Sequence, residues 1–228
     1  MTINQQLETL YRDKLHNIEP LFEFDHEIDG PLIMNAWEDE YINSQVRILF
    51  IGQECDGWIG WTVDKFEELN NKYIDFGLSK KGDRTVFWQY VYYVNSILNP
   101  NNAEGNNFLW TNVSKFCMWD GKPLDWTTHQ TTVKHFDCLK EEIRILKPDV
   151  VLFFSGPFYD DKIKLQFDTD ISFEQVDNEI PLRELAILKN ENLPKHTYRT
   201  YHPKPMQMLY KTGHLEIILN KIKSEIGR

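Results

Sequence analysis

Cysteine is scarce in this chain. Among 228 residues there are three, Cys55, Cys117 and Cys138, far apart and never at C-x-x-C spacing. That excludes a disulfide framework and a cysteine–histidine zinc site. The sparse, odd count reads as reduced thiols in a cytoplasm. Long apolar runs are missing as well, so no membrane-spanning segment is expected. The opening "MTINQQLETLYRDKLHNIEP" holds no apolar stretch of the signal-peptide kind. Basic residues are outnumbered, 25 Lys and Arg against 35 Asp and Glu, for a net charge of −10. A deficit of this size argues against loose attraction to phosphate backbones and leaves a local basic cleft as the route to nucleic acid. No repeat or low-complexity linker interrupts the chain. Residues 1–228 therefore read as a single domain around one core; a monomer is expected, although the sequence does not reveal the oligomeric state.

What the chain does have is aromatic side chains, 14% of residues, with seven tryptophans. These serve an aromatic-rich core or an aromatic binding surface, and composition alone leaves both open.

Periodicity supplies the architecture. Residues 3–18 carry apolar side chains at helical spacing, and Val46–Ile51 follows as a short strand. "RTVFWQYVYYVNSIL", 84–98, repeats apolar residues at Phe87, Val91, Val94 and Leu98, and Asn99-Pro100 stops that helix. Phe108–Val113 is a second strand. Val133, Phe136, Leu139, Ile143 and Leu146 share a helical face that ends at Pro148. "DVVLFFS", 149–155, is apolar on both sides, the pattern of a central parallel strand. "ISFEQV" reads as an edge strand or part of an insertion, "HTYRTYHP" as a fourth strand, and 206–226 as an amphipathic helix. Alternating helices and strands predict an α/β fold, a three-layer αβα sandwich around a mostly parallel four-stranded sheet.

Polar residues follow each of the four strands: Gly52-Gln53-Glu54, Thr111-Asn112, Ser155-Gly156 and Tyr201-His202-Pro203. Parallel strands bring these ends to one edge, where α/β sheets bind ligands. A carboxylate, a carboxamide and an imidazole would converge there, a set suited to a planar polar ligand.

The same segments resemble the uracil-DNA glycosylase superfamily. "GQE" after the first strand is similar to its first motif, Gly-Gln-Asp-Pro or Gly-Glu-Ala-Pro. "FLWTNVSKF" is similar to its "ITNVVKC" segment, and "CLKEEIRILKPDVVLFFSG" to the helix–proline–strand–glycine unit that follows. "RTYHPKPM" is similar to its second motif, His-Pro-Ser-Pro or Tyr-His-Pro-Ser. The pieces occur in the family's order over residues 46–206. Cys55 stands in place of the motif's proline and Lys204 in place of its serine. The nearest branch carries an iron–sulfur cluster on four cysteines. Cys138 falls near one ligand position, but the N-terminal pair is missing, so no cofactor and no metal is expected.

The resemblance implies hydrolysis of the N-glycosidic bond of uracil, or a related damaged base, flipped out of DNA into a pocket. His202 would donate to a pyrimidine carbonyl, and Glu54 would orient water or offset the sugar's positive charge. Asn112 would read the base edge, with Gly52 and Gln53 at the pocket floor. The flat wall is expected from Trp58, Trp61 or Phe116, with Trp58 favoured by its nearness to Glu54. Ser155, Gly156 and Lys204 would touch phosphate, and Met206 would wedge into the duplex. The alternative is an altered or inactive member that binds a base, nucleotide or nucleic acid without hydrolysis. A weaker third reading is a hydrolase or transferase for a small nucleoside-like molecule.

Plainer roles stand beside these. His202 before proline suits a structural residue, Asn112 a turn cap, Glu54 an ion pair with Arg199, and the tryptophans a core. Cys55 reads as an inert thiol, Glu141-Glu142 as a solvated helix face, and Lys80–Arg84 as a loop or a local basic patch.

Overall fold

The computed structural model describes residues 1–24, 28–79, 85–103, 105–168, 170–209 and 211–226. The Lys80–Arg84 patch lies outside them. The strands are β1 (Ile28–Asp29), β2 (Ile48–Gly52), β3 (Phe108–Asn112), β4 (Cys117–Met118), β5 (Val150–Phe153), β6 (Ser172–Gln175), β7 (Leu185–Lys189) and β8 (His196–Thr200). A six-stranded sheet runs β3-β2-β5-β8-β7-β6, and β1 pairs with β4 in a small antiparallel sheet.

The four expected strands form the parallel half of the large sheet, β3-β2-β5-β8. The sheet has six strands rather than four, because β7 and β6 extend it antiparallel beyond β8. "ISFEQV" supplies the outer edge strand, and the Leu185–Lys189 segment between it and β8 is a strand that periodicity did not reveal. Residues of β2, β3, β5 and β8 are all buried, as helices on both faces require.

Register and side-chain alternation define the two faces. Phe50 pairs with Trp110 and Leu152, and Leu152 with Tyr198. These residues therefore share a face with Phe108, Asn112, Gly52 and Thr200. Helix Val86–Leu98 covers that face, with Tyr92 edge-on to Phe108 and Phe87 edge-on to Phe154. Helices Ile3–Leu15, Leu139–Leu146 and Asp160–Gln166 cover the other.

Local signals set the helix ends. Thr2 and Gln5 form a capping box for Ile3–Leu15. Asp125 caps Trp126–His135 by accepting from the Thr128 amide. Lys147, in a left-handed conformation, closes Leu139–Leu146 before Pro148.

Two polar devices hold the second face and the sheet rim. Glu142 is buried rather than solvated. It lies three residues after Leu139 on the inward stripe, where it accepts from the Tyr11 phenol at 2.8 Å and pairs with Lys115 at 2.5 Å. Lys115 also donates to the Thr111 hydroxyl. Glu141, its neighbour, pairs with Arg144 at the surface. At the β3 rim, the Tyr73 phenol from helix Phe66–Phe76 donates to Trp110 O at 2.8 Å and accepts from Trp110 N at 3.4 Å. One side chain thus satisfies both outward backbone groups of that residue. Among the described residues, no helix is long and apolar enough to cross a membrane.

Candidate functional site at the strand ends

Strands β2 and β3 end level, with Gly52 opposite Asn112. A Cβ on Gly52 would collide with Asn112 Oδ1 and come within 3.4 Å of Trp110 Nε1 and 3.5 Å of Phe87 Cε2. Only glycine lets the carboxamide, the indole and the phenyl ring close over this strand end. Asn112 is 1% exposed, and its Nδ2 has no hydrogen-bond partner. Trp110 Nε1 is likewise buried and unpartnered. Gly52→Ala is expected to force Asn112 aside and lower stability by about 1–3 kcal/mol, read as a drop in the urea midpoint.

His202 arrives from β8 and caps the short helix Pro203–Met208. Its Nδ1 accepts from Lys204 N at 3.4 Å, a long bond that assigns the ring proton to Nε2. Burial, with the nearby Lys204 charge, lowers the imidazole pKa to about 4. The ring is therefore neutral near pH 7, with Nε2–H available as a donor. It lies nearly parallel to Phe87, centroids 5.5 Å apart and planes 21° apart. Phe87 thus touches His202 and reaches the space beside Asn112. Gly156 has a φ of 74°, which favours glycine, and a Cβ there would point at Tyr201 and the His202 amide.

Glu54 takes a different direction. Its Oε1 accepts from the Tyr159 phenol at 2.8 Å and from Lys162 Nζ at 2.6 Å, and its Oε2 from Leu124 N at 2.7 Å. The side chain is 4% exposed. Lys162, not Arg199, is its ionic partner, and Lys162 also donates to Leu124 O. Arg199 instead clamps Asp160 through two bonds of 2.8 and 2.9 Å. Burial, and then the Glu54 charge, raise the Tyr159 phenol well above its usual range. Gln53 donates to Ser155 O at 2.7 Å. The Ser155 hydroxyl is buried without a partner, and the Gly156 amide is already committed to Thr200 O.

Of the expected wall residues, Phe116 is fully buried, edge-on to Phe136, so it faces the core and not a pocket. Trp58 is buried against Tyr73, Phe76 and Trp110, its backbone held by Asp29. Trp61 is 58% exposed. Met206 cannot wedge as it stands, because it is buried with its sulfur beside the Thr200 hydroxyl. Met208 and Leu209 are the exposed apolar residues of that turn. Lys204 is exposed.

The strand ends thus bring Gly52, Asn112, His202 and Gly156 together, with Phe87 and Trp110 added. Phe87 had read only as one member of a helix's apolar stripe, and Trp110 only as strand core. Their sole signal was position, Phe87 at the helix opening and Trp110 two residues before Asn112. Tyr159 and Lys162 fell in a stretch without clear periodicity.

Cys55 and Cys117 are buried with sulfurs 2.7 Å apart, and Cys138 lies elsewhere, near Phe136 O. No cluster of three or more His, Cys, Asp or Glu able to hold a metal occurs among the described residues. Compared with protein-family models and with curated proteins, the chain matches none of either.

Proposed function

We propose that the strand ends form a nucleobase site of the uracil-DNA glycosylase type, hydrolysing the N-glycosidic bond of uracil or a related base. One observation carries the reading: Phe87 stacks on His202 and its edge closes over Gly52 together with the Asn112 carboxamide, ninety positions from His202. A base lying coplanar with the imidazole would stack on Phe87 and receive a hydrogen bond from His202 Nε2–H. Bond cleavage leaves negative charge on the base, and a pre-aimed donor in a water-poor site stabilises that charge. A neutral imidazole can donate without first being charged by solvent. Asn112 Nδ2, unpaired, would meet a carbonyl on the base edge. Lys204, which is exposed, would meet a phosphate. The partner is DNA carrying the base, or a small nucleobase ligand, met in the cytoplasm by a monomer.

A second reading, binding without hydrolysis, is favoured by Glu54. A carboxylate holding three donors, one of them an ammonium, is poorly disposed to activate water. The two readings separate in one assay. Uracil-containing single- and double-stranded oligonucleotides are incubated with the protein and treated with alkali. Hydrolysis predicts strand breaks reduced at least about a hundredfold in His202→Ala, the usual scale for removing one aimed donor, and a comparable loss in Asn112→Ala. Free-base binding with no breaks would instead select the second reading. Neither breaks nor binding would remove both.

A further inference from the structure

A buried indole N–H, that of Trp110, lies at the β3 end with nothing to donate to, beside the Asn112 carboxamide. Trp110 and Asn112 are two residues apart on one strand, so both side chains leave the same face. Trp110 Nε1 and Asn112 Nδ2 are sealed from solvent and unpartnered, and both side chains abut the Gly52 backbone. Buried polar groups are nearly always satisfied in native proteins. An unpartnered indole N–H at a strand end is thus a place where an acceptor fits.

The chemistry of that acceptor is constrained. An indole nitrogen only donates. The Trp110 ring is also fixed in direction, stacked on Tyr73 at 6.2 Å and edge-on to Trp88 at 5.3 Å. It cannot turn to find another partner.

We infer that Trp110 is a specificity-determining donor: beside the Asn112 amide, its indole N–H selects a base presenting carbonyl oxygens there and rejects one presenting an amino group. The inference rests on the strand ends being a nucleobase site. It adds to that reading a residue that the motifs do not single out. An amino group meeting Nε1–H sets donor against donor and leaves both buried and unpaired. Phe87 reaches over Gly52, so its ring must tilt for a base to touch these nitrogens.

The test uses the whole chain with free uracil and free cytosine as probes, measured by equilibrium dialysis. Trp110→Phe keeps an aromatic ring and loses the N–H. As a closer isostere, β-(3-benzothienyl)alanine at position 110 replaces the N–H with sulfur. Wild type is expected to prefer uracil by about tenfold or more. Both variants should lose about tenfold in uracil binding, the usual scale for one hydrogen bond, with cytosine little changed. In protein labelled with ¹⁵N at tryptophan, uracil should shift the Trp110 indole N–H resonance downfield, a change that a packing role would not produce. If Asn112→Ala weakens uracil binding but the isostere does not, and the indole resonance stays put, the base site stands and the Trp110 inference falls. If wild type binds neither probe, the site reading fails and takes the inference with it.

Discussion

Acidifying this protein from about pH 7 to about pH 4 is expected to cost it several kcal/mol of stability. Two histidines set the direction, His129, which is buried, and His202, which is half-buried. His202 is lowered from 6.5 to about 4 and His129 to about 3, in both cases mainly by burial. His129 also faces the Lys162 charge, and its Nδ1 bonds Ser114. Between about pH 6.5 and these values the unfolded chain takes up protons that the folded chain refuses. Each such histidine then removes about 1.4 kcal/mol of stability per pH unit. The stability is complete above the unfolded value and lost as pH falls toward the folded one. His196 and His214 are depressed in the same sense. Asp137 and Asp160, whose carboxyls are raised by burial, offset part of the loss. Urea midpoints at several pH values read the effect directly, and His129→Gln with His202→Gln should flatten the curve. A midpoint that holds steady from neutral to pH 5 would mean that the imidazoles are solvated, and the closed geometry around His202 would be wrong.

The second large effect concerns Lys115 and Glu142. Lys115→Met leaves the Glu142 carboxylate beneath the sheet with only the Tyr11 phenol and the Thr111 hydroxyl as donors. Breaking a buried ion pair from one side typically costs about 3–5 kcal/mol. The double variant Lys115→Met/Glu142→Leu should recover most of that, because no uncompensated charge remains. Urea unfolding of the two variants decides the matter. Equal loss in both would show that packing rather than charge governs the site.

The parallel half of the sheet could be read from sequence for a physical reason. Strands covered on both faces are near-continuous apolar runs, and Ile48–Gly52 and Val150–Phe153 are such runs. Strand β7 was missed because Leu-Ala-Ile-Leu-Lys has the composition of a helix, and only its pairing with β8 makes it extended. Glu142 reads as solvent-facing beside Glu141. Its burial follows only when the helix is phased on Leu139, Ile143 and Leu146. The strand ends gave Gly52, Asn112 and His202 by position after apolar runs. Glu54 was legible as a strand-end carboxylate but not in its orientation, since Tyr159 and Lys162 come from a segment without a clear period. Phe87 and Trp110 were hidden because an aromatic residue in a core and one in a site look alike until the neighbours of their edges are known.

Strand β3 ends the large sheet on the side that carries Asn112. A naked row of amides and carbonyls there would let a second molecule zip its own backbone alongside. The Tyr73 hydroxyl, seated on both outward groups of Trp110, occupies that coupling point from within. Copies of this chain are thereby denied fibril-like growth through the very strand that serves the candidate site.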